Sequence, residues 1–201
     1  MPELKDSILI TGTGRCGTTF LVALLTLLGM DTGFTRETLN ENIHDNCKGG
    51  LEKRPTEYKI TKNPAFIIMM EQYISQCEQV PKLVIIPIRN FSEAAGSRYK
   101  NTKEEGRLNE PIPEGLSESK GAGGLWHADT KEEQITFYNK CMAEYIQLMT
   151  LYDIPTKFID FYRMTTNSRY LFECLKDVIN SDITYEIFEE RYNEATSLCA
   201  R

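Results

Sequence analysis

At 201 residues and 23.1 kDa the chain fits one α/β domain, residues 1–201, long enough to bury a proper core. Its net charge of −6 argues against general nucleic-acid or anionic-membrane binding, which needs a basic face. The longest apolar run, Phe20 to Leu28, is far shorter than the roughly 20 residues of a membrane span; with no signal-peptide pattern at its start, a cytoplasmic protein is expected.

In chain order, Ser7 to Thr11 (SILIT) is a short apolar run ending in glycines, the pattern of a buried strand. Thr18 to Leu28 carries a continuous apolar helix pattern stopped by Gly29. Residues 31–56 are polar, with Gly49-Gly50 and Pro55, and read as loop with room for one short helix. Tyr58 to Thr61 is a second strand. Pro64 suits the start of a helix whose apolar positions Phe66, Ile67, Met70, Ile74 and Cys77 recur every three to four residues. Lys82 to Ile88 (KLVIIPI) is the clearest strand, apolar throughout and hence buried on both faces, with Pro87 placed at its terminus because proline cannot donate to a ladder.

A helix from about Ser92 to Lys100 follows. Residues 103–126 are charged, rich in Pro and Gly and without period, which makes them a long surface loop or lid. A helix over Lys131–Tyr152 places Ile135, Tyr138, Met142, Tyr145 and Met149 on one face, Thr156 to Phe161 is a further strand, and 166–180 and 184–195 read as helices. Strands alternating with helices predict a three-layer P-loop-like fold, a central parallel sheet of about four to five strands with helices on both faces. Six cysteines at irregular spacing, with no Cys-x-x-Cys, predict reduced thiols; His44 and Cys47 alone fall short of the four ligands of a closed zinc site, so no metal is expected.

The chemistry concentrates in the first strand-to-helix turn, Thr11-Gly12-Thr13-Gly14-Arg15-Cys16-Gly17-Thr18-Thr19. Gly12, Gly14 and Gly17 let backbone N–H groups turn toward an anion, and the following helix N-terminus adds its positive end. Thr18 and Thr19 add hydroxyl donors and Arg15 a charged fork suited to phosphate or sulfate. A nucleoside-triphosphatase loop needs lysine after its last glycine, where this chain has Thr18, and an acid closing an apolar strand, where it has Arg89.

Gly14-Arg15-Cys16-Gly17-Thr18-Thr19-Phe20-Leu21 resembles the 5′-phosphosulfate loop of sulfotransferases, commonly K/R-S-G-T-T and an apolar residue. Arg89-Asn90-Phe91-Ser92-Glu93-Ala94-Ala95-Gly96-Ser97 is similar to that family's 3′-phosphate motif, Arg-Asn at a strand end with Ser eight residues after the Arg. Thr61-Lys62-Asn63-Pro64 and the Phe158–Arg163 stretch resemble the segments between and after, so the matched pieces run in family order over about 7–165. The resemblance implies 3′-phosphoadenosine-5′-phosphosulfate as donor, held by Gly14, Arg15, Cys16, Gly17, Thr18, Thr19, Arg89 and Ser97, and a hydroxyl or amine acceptor, small molecule or glycan.

Sulfuryl transfer needs an in-line acceptor, a base for its proton and positive charge on the leaving oxygen. Arg15 and Lys62 are the candidates for that charge. The histidine that many family members carry two residues after the lysine is Pro64 here. Glycan- and protein-tyrosine-type members use a glutamate soon after the first helix, and Glu37 in Phe34-Thr35-Arg36-Glu37-Thr38 stands in that place. Glu37 is therefore the expected base, with Asp31, Glu41 and His44 as substitutes. The family's C-terminal Gly-x-x-Gly-x-x-Lys segment is absent, and Arg98 beside Ser97 is a candidate to compensate. Two other readings stay open: a nucleotide or small-molecule kinase with a degenerate loop, and a non-catalytic nucleotide-binding protein.

Overall fold

The computed structural model describes residues 3–44, 49–104 and 123–200; Cys47 and most of the expected 103–126 lid lie outside them. Four strands, β1 (Ile8–Ile10), β2 (Ile60–Lys62), β3 (Leu83–Ile88) and β4 (Thr156–Asp160), form one parallel sheet in the order β2-β1-β3-β4. Alternate side chains leave a strand on opposite faces. Ile8, Ile10, Ile60, Ile85 and Ile159 therefore join one core, and Leu9, Val84 and Ile86 the other.

The first core holds α1 (Thr18–Leu27), α7 (Ser168–Leu175) and α8 (Tyr185–Cys199), and the second holds α3 (Phe66–Cys77) and α5 (Lys131–Leu151). α4 (Phe91–Glu104) packs on α5 through Ala94, Ala95 and Tyr138. The three-layer α/β expectation thus holds, with four strands. β1 sends the chain to α1 on one face while its neighbours β2 and β3 send it to α3 and α4 on the other. That divergence opens a crevice at the carboxyl ends of the strands, where α/β sheets bind ligands.

Pro87 sits inside the β3–β4 ladder opposite Ile159. Ile85 accepts from Thr11 N–H and Val84 donates to Pro155, so odd-numbered residues of β3 turn their backbone toward β1. Proline falls one pleat past the last β1 partner of β3, Ile10, where no ladder bond is required.

Other boundaries moved for local reasons. The expected 31–56 loop contains α2 (Arg36–Asn42), started by a capping box between Thr35 and Thr38. α3 begins at Phe66, two residues after Pro64. The last strand ends at Asp160, whose side chain accepts from Arg163 N–H and starts α6 (Phe161–Thr166). The expected 166–180 helix shortens to α7, because the Asn167 side chain accepts from Tyr170 N–H and caps a new helix. Among the described residues no helix is long and apolar enough to cross a membrane.

Candidate functional site

The chain leaves β1 through Gly12 (φ 151°), Gly14 (φ 79°), Arg15 (φ 57°) and Gly17 (φ 85°) before α1 begins. This run of positive φ turns the backbone into a concavity ahead of a helix N-terminus. Among the described residues, no backbone carbonyl accepts from the N–H groups of Cys16, Gly17, Thr18 or Thr19. Gly17 also makes room: a Cβ there would lie 2.6 Å from the Met164 methyl and 3.1 Å from the Phe161 ring of α6.

The loop forms one wall of a cleft of about 1250 Å³. Gly14, Arg15, Gly17, Thr18, Thr19, Lys62, Arg89 and Ser97 all line it. The loop, the β2 end and the β3–α4 junction therefore meet, although 82 positions separate Arg15 from Ser97. Arg15 Nε donates to Ser97 Oγ at 3.1 Å, and Arg89 Nη1 donates to the Arg15 carbonyl at 3.1 Å. Arg89 also pairs with Glu93 (3.5 Å) and lies 4.6 Å above the Phe161 ring. Its buried Nε makes no hydrogen bond among the described residues and faces the Glu93 carboxylate at that 3.5 Å.

Lys62 is 2% exposed, a burial lysine tolerates only when its donors are matched. Its Nζ reaches Gly50 O at 2.7 Å, Glu52 Oε1 at 2.5 Å and Thr19 Oγ1 at 3.4 Å. Gly50 is held for this role by an antiparallel bridge to Ile43, and Lys53 N–H donates to the Lys62 carbonyl. These contacts draw residues 49–53 across the end of β2.

Among the described residues five cations line the cleft, Arg15, Lys62, Arg89, Arg98 and Lys100, against two carboxylates, Glu52 and Glu93. An acidic chain thus concentrates positive charge in one concavity, which focuses its field on anions. The opposite wall, Pro64, Ala65, Ile68 and Met69 from the start of α3, is largely apolar.

Cys16 and Glu37 are not among the residues lining the cleft. The Cys16 side chain turns under the loop, fully buried against Gly12 and Ile86, and burial pushes its thiol above the ordinary range despite the nearby Lys62 and Arg98 charges. Glu37 stands exposed in the first turn of α2. A hydrogen bond from Thr35 and the helix N-terminus hold its carboxyl below the ordinary value, the wrong direction for a base. Asp31 is engaged with Lys59 N–H at 3.2 Å, and Asp31 and Glu41 also stand apart from the cleft, whereas His44 lines it.

Sequence reasoning missed Glu52 and Phe161. Glu52 carried no motif, and only the Ile43–Gly50 bridge brings it to Lys62. Phe161 lay inside a segment read as strand. Trp126 is buried at the start of α5, its N–H donating to Gln134 and its ring edge-on to Phe137, and one side of it reaches the cleft. No disulfide joins the cysteines among the described residues, nor is a group of three or more His, Cys, Asp or Glu assembled there. Compared with family models, curated proteins and solved structures, the chain matches none.

Proposed function

We propose that this chain is a sulfotransferase, moving the sulfuryl group of 3′-phosphoadenosine-5′-phosphosulfate to a hydroxyl or amine acceptor by in-line displacement. One observation carries the reading: two segments that resemble phosphate motifs in the sequence, Gly14–Thr19 and Arg89–Ser97, line a single cleft together with Lys62. The cleft is roomy enough for a nucleotide beside an acceptor.

In this reading the loop N–H groups, Thr18 and Thr19 hold the 5′ end of the donor, and Arg89 and Ser97 its 3′-phosphate. Lys62 stands against Thr19 and neutralises the bridging oxygen as the sulfur–oxygen bond to the nucleotide breaks. Glu52, rather than Glu37, takes the acceptor's proton as the new sulfur–oxygen bond forms. Its carboxylate lines the cleft and accepts from Lys62 at 2.5 Å. The small-molecule or glycan nature of the acceptor belongs to the same proposal.

A second reading, a non-catalytic nucleotide-binding protein, has one observation in its favour. Both carboxylates that line the cleft among the described residues are ion-paired, Glu52 to Lys62 and Glu93 to Arg89. A kinase draws no such support, since Thr18 stands where its loop lysine is needed. The test is release of 3′,5′-adenosine bisphosphate from the donor in the presence of hydroxyl-bearing acceptors. Acceptor-dependent release supports transfer; binding of donor without release under any acceptor supports the second reading.

A further inference from the structure

Arg98 is 6% exposed and lies directly beneath the anion loop, where any side chain at Gly14 would run into its guanidinium. Its partners are neutral. Nε donates to Tyr138 Oη at 2.7 Å, Nη1 donates to the Gly124 carbonyl, and the fork lies 5.6 Å from the Trp126 ring centre. Among the described residues no carboxylate pairs with it; the neighbouring pairs Arg89–Glu93 and Lys100–Glu104 do not include it. Tyr138 is no hidden anion, for burial pushes its hydroxyl up to about 12. A guanidinium buried without a counter-charge is strongly unfavourable unless something supplies the charge.

The side chain also lines the cleft, and what faces it there is Gly14 of the loop. We propose that Arg98 is the buried half of a charge pair whose other half arrives with the ligand: a phosphoryl group seated on the Gly14–Gly17 loop beside Arg15. Arg98 is then a positioning residue. It props the loop from below, fixes it to Gly124 and Trp126, and gains its counter-ion across Gly14. The subsite selects for negative charge, a phosphoryl or phosphosulfate group over a neutral one. This deepens the proposed function at the same site but does not need sulfuryl transfer to be right.

The experiment is thermal denaturation of the full chain with inorganic phosphate, and with chloride at matched ionic strength, for the wild type, R98Q and R98K. The wild type should gain about 5 °C with saturating phosphate over chloride. R98Q should lose that gain while its midpoint in chloride stays equal to or above wild type, because an unbalanced charge has gone. R98K keeps the charge without the fork and should retain part of the gain. Two results overturn the proposal: a lower R98Q midpoint in chloride with the phosphate gain intact, which is a purely structural arginine, or no gain in the wild type. Calorimetry with 3′,5′-adenosine bisphosphate separates the two readings. A phosphate gain that depends on Arg98, with no bisphosphate binding, keeps this subsite and removes the sulfotransferase; bisphosphate binding unchanged in R98Q does the reverse.

Discussion

The two ends of the cleft are built by different means. The end proposed to bind the anion uses the carboxyl ends of adjacent parallel strands: the loop after β1, Arg89 after β3, and Ser97 and Arg98 two turns into α4. Each piece is fixed by a regular element, and its side chains interlock through Arg15–Ser97 and Arg89–Arg15. The Lys62–Glu52 end borrows from a polar stretch with no period, brought across β2 by one antiparallel bridge and by Lys62 itself. Rigid scaffolding at one end and irregular backbone at the other is the arrangement expected where binding is shared and specificity varies.

The largest effect should come from separating the two charges at the irregular end. K62M and E52Q should each lower transfer by about 10²–10³-fold while binding of 3′,5′-adenosine bisphosphate survives, read by turnover and calorimetry on the same preparations. Loss of binding in E52Q would place Glu52 in the anion site and erase the contrast between the ends.

A stability comparison probes the anion end. Gly14 and Gly29 share positive φ (79° and 77°), but a Cβ at Gly29 meets nothing within 4 Å whereas one at Gly14 strikes Arg98. G29A should cost about 1–3 kcal/mol from backbone strain alone, and G14A clearly more, read by denaturant unfolding. Equal costs would mean that Arg98 yields freely and the loop is not propped from below.

E37Q should leave turnover unchanged, because Glu37 does not line the cleft. Its pH signature is small and has a definite sign. Glu37 titrates below its ordinary 4.5 in the fold, so its contribution is present above that value and is lost as pH falls through the lowered one. Thermal midpoints of wild type and E37Q should differ slightly near neutral pH and converge once the pH falls below that lowered value. Divergence on acidification would reverse the sign and contradict the helix-terminus placement.

The same contrast explains what was legible in the sequence. β1 and β3 announce themselves by apolar runs, and the loop and the Arg89–Ser97 spacing are local patterns, so the segments that meet at this end of the cleft could be read before the fold was known. α7 was overextended because Asn167 acts as a cap inside an otherwise helical stretch, and Phe161 was read as strand because Asp160 caps a helix at the strand's last residue. Glu52 could not be found at all. Its proximity to Lys62 depends on the non-local Ile43–Gly50 bridge, while Glu37, nearer the expected place in sequence, was claimed by a helix start.

The measurement closest to the central claim is calorimetric titration of the full chain with 3′,5′-adenosine bisphosphate beside ATP and Mg²⁺. The account predicts tight binding of the bisphosphate, whose two phosphoryl groups match the loop and the Arg89–Ser97 site, and none of the ATP complex. Tight binding of ATP–Mg²⁺ with none of the bisphosphate would contradict it.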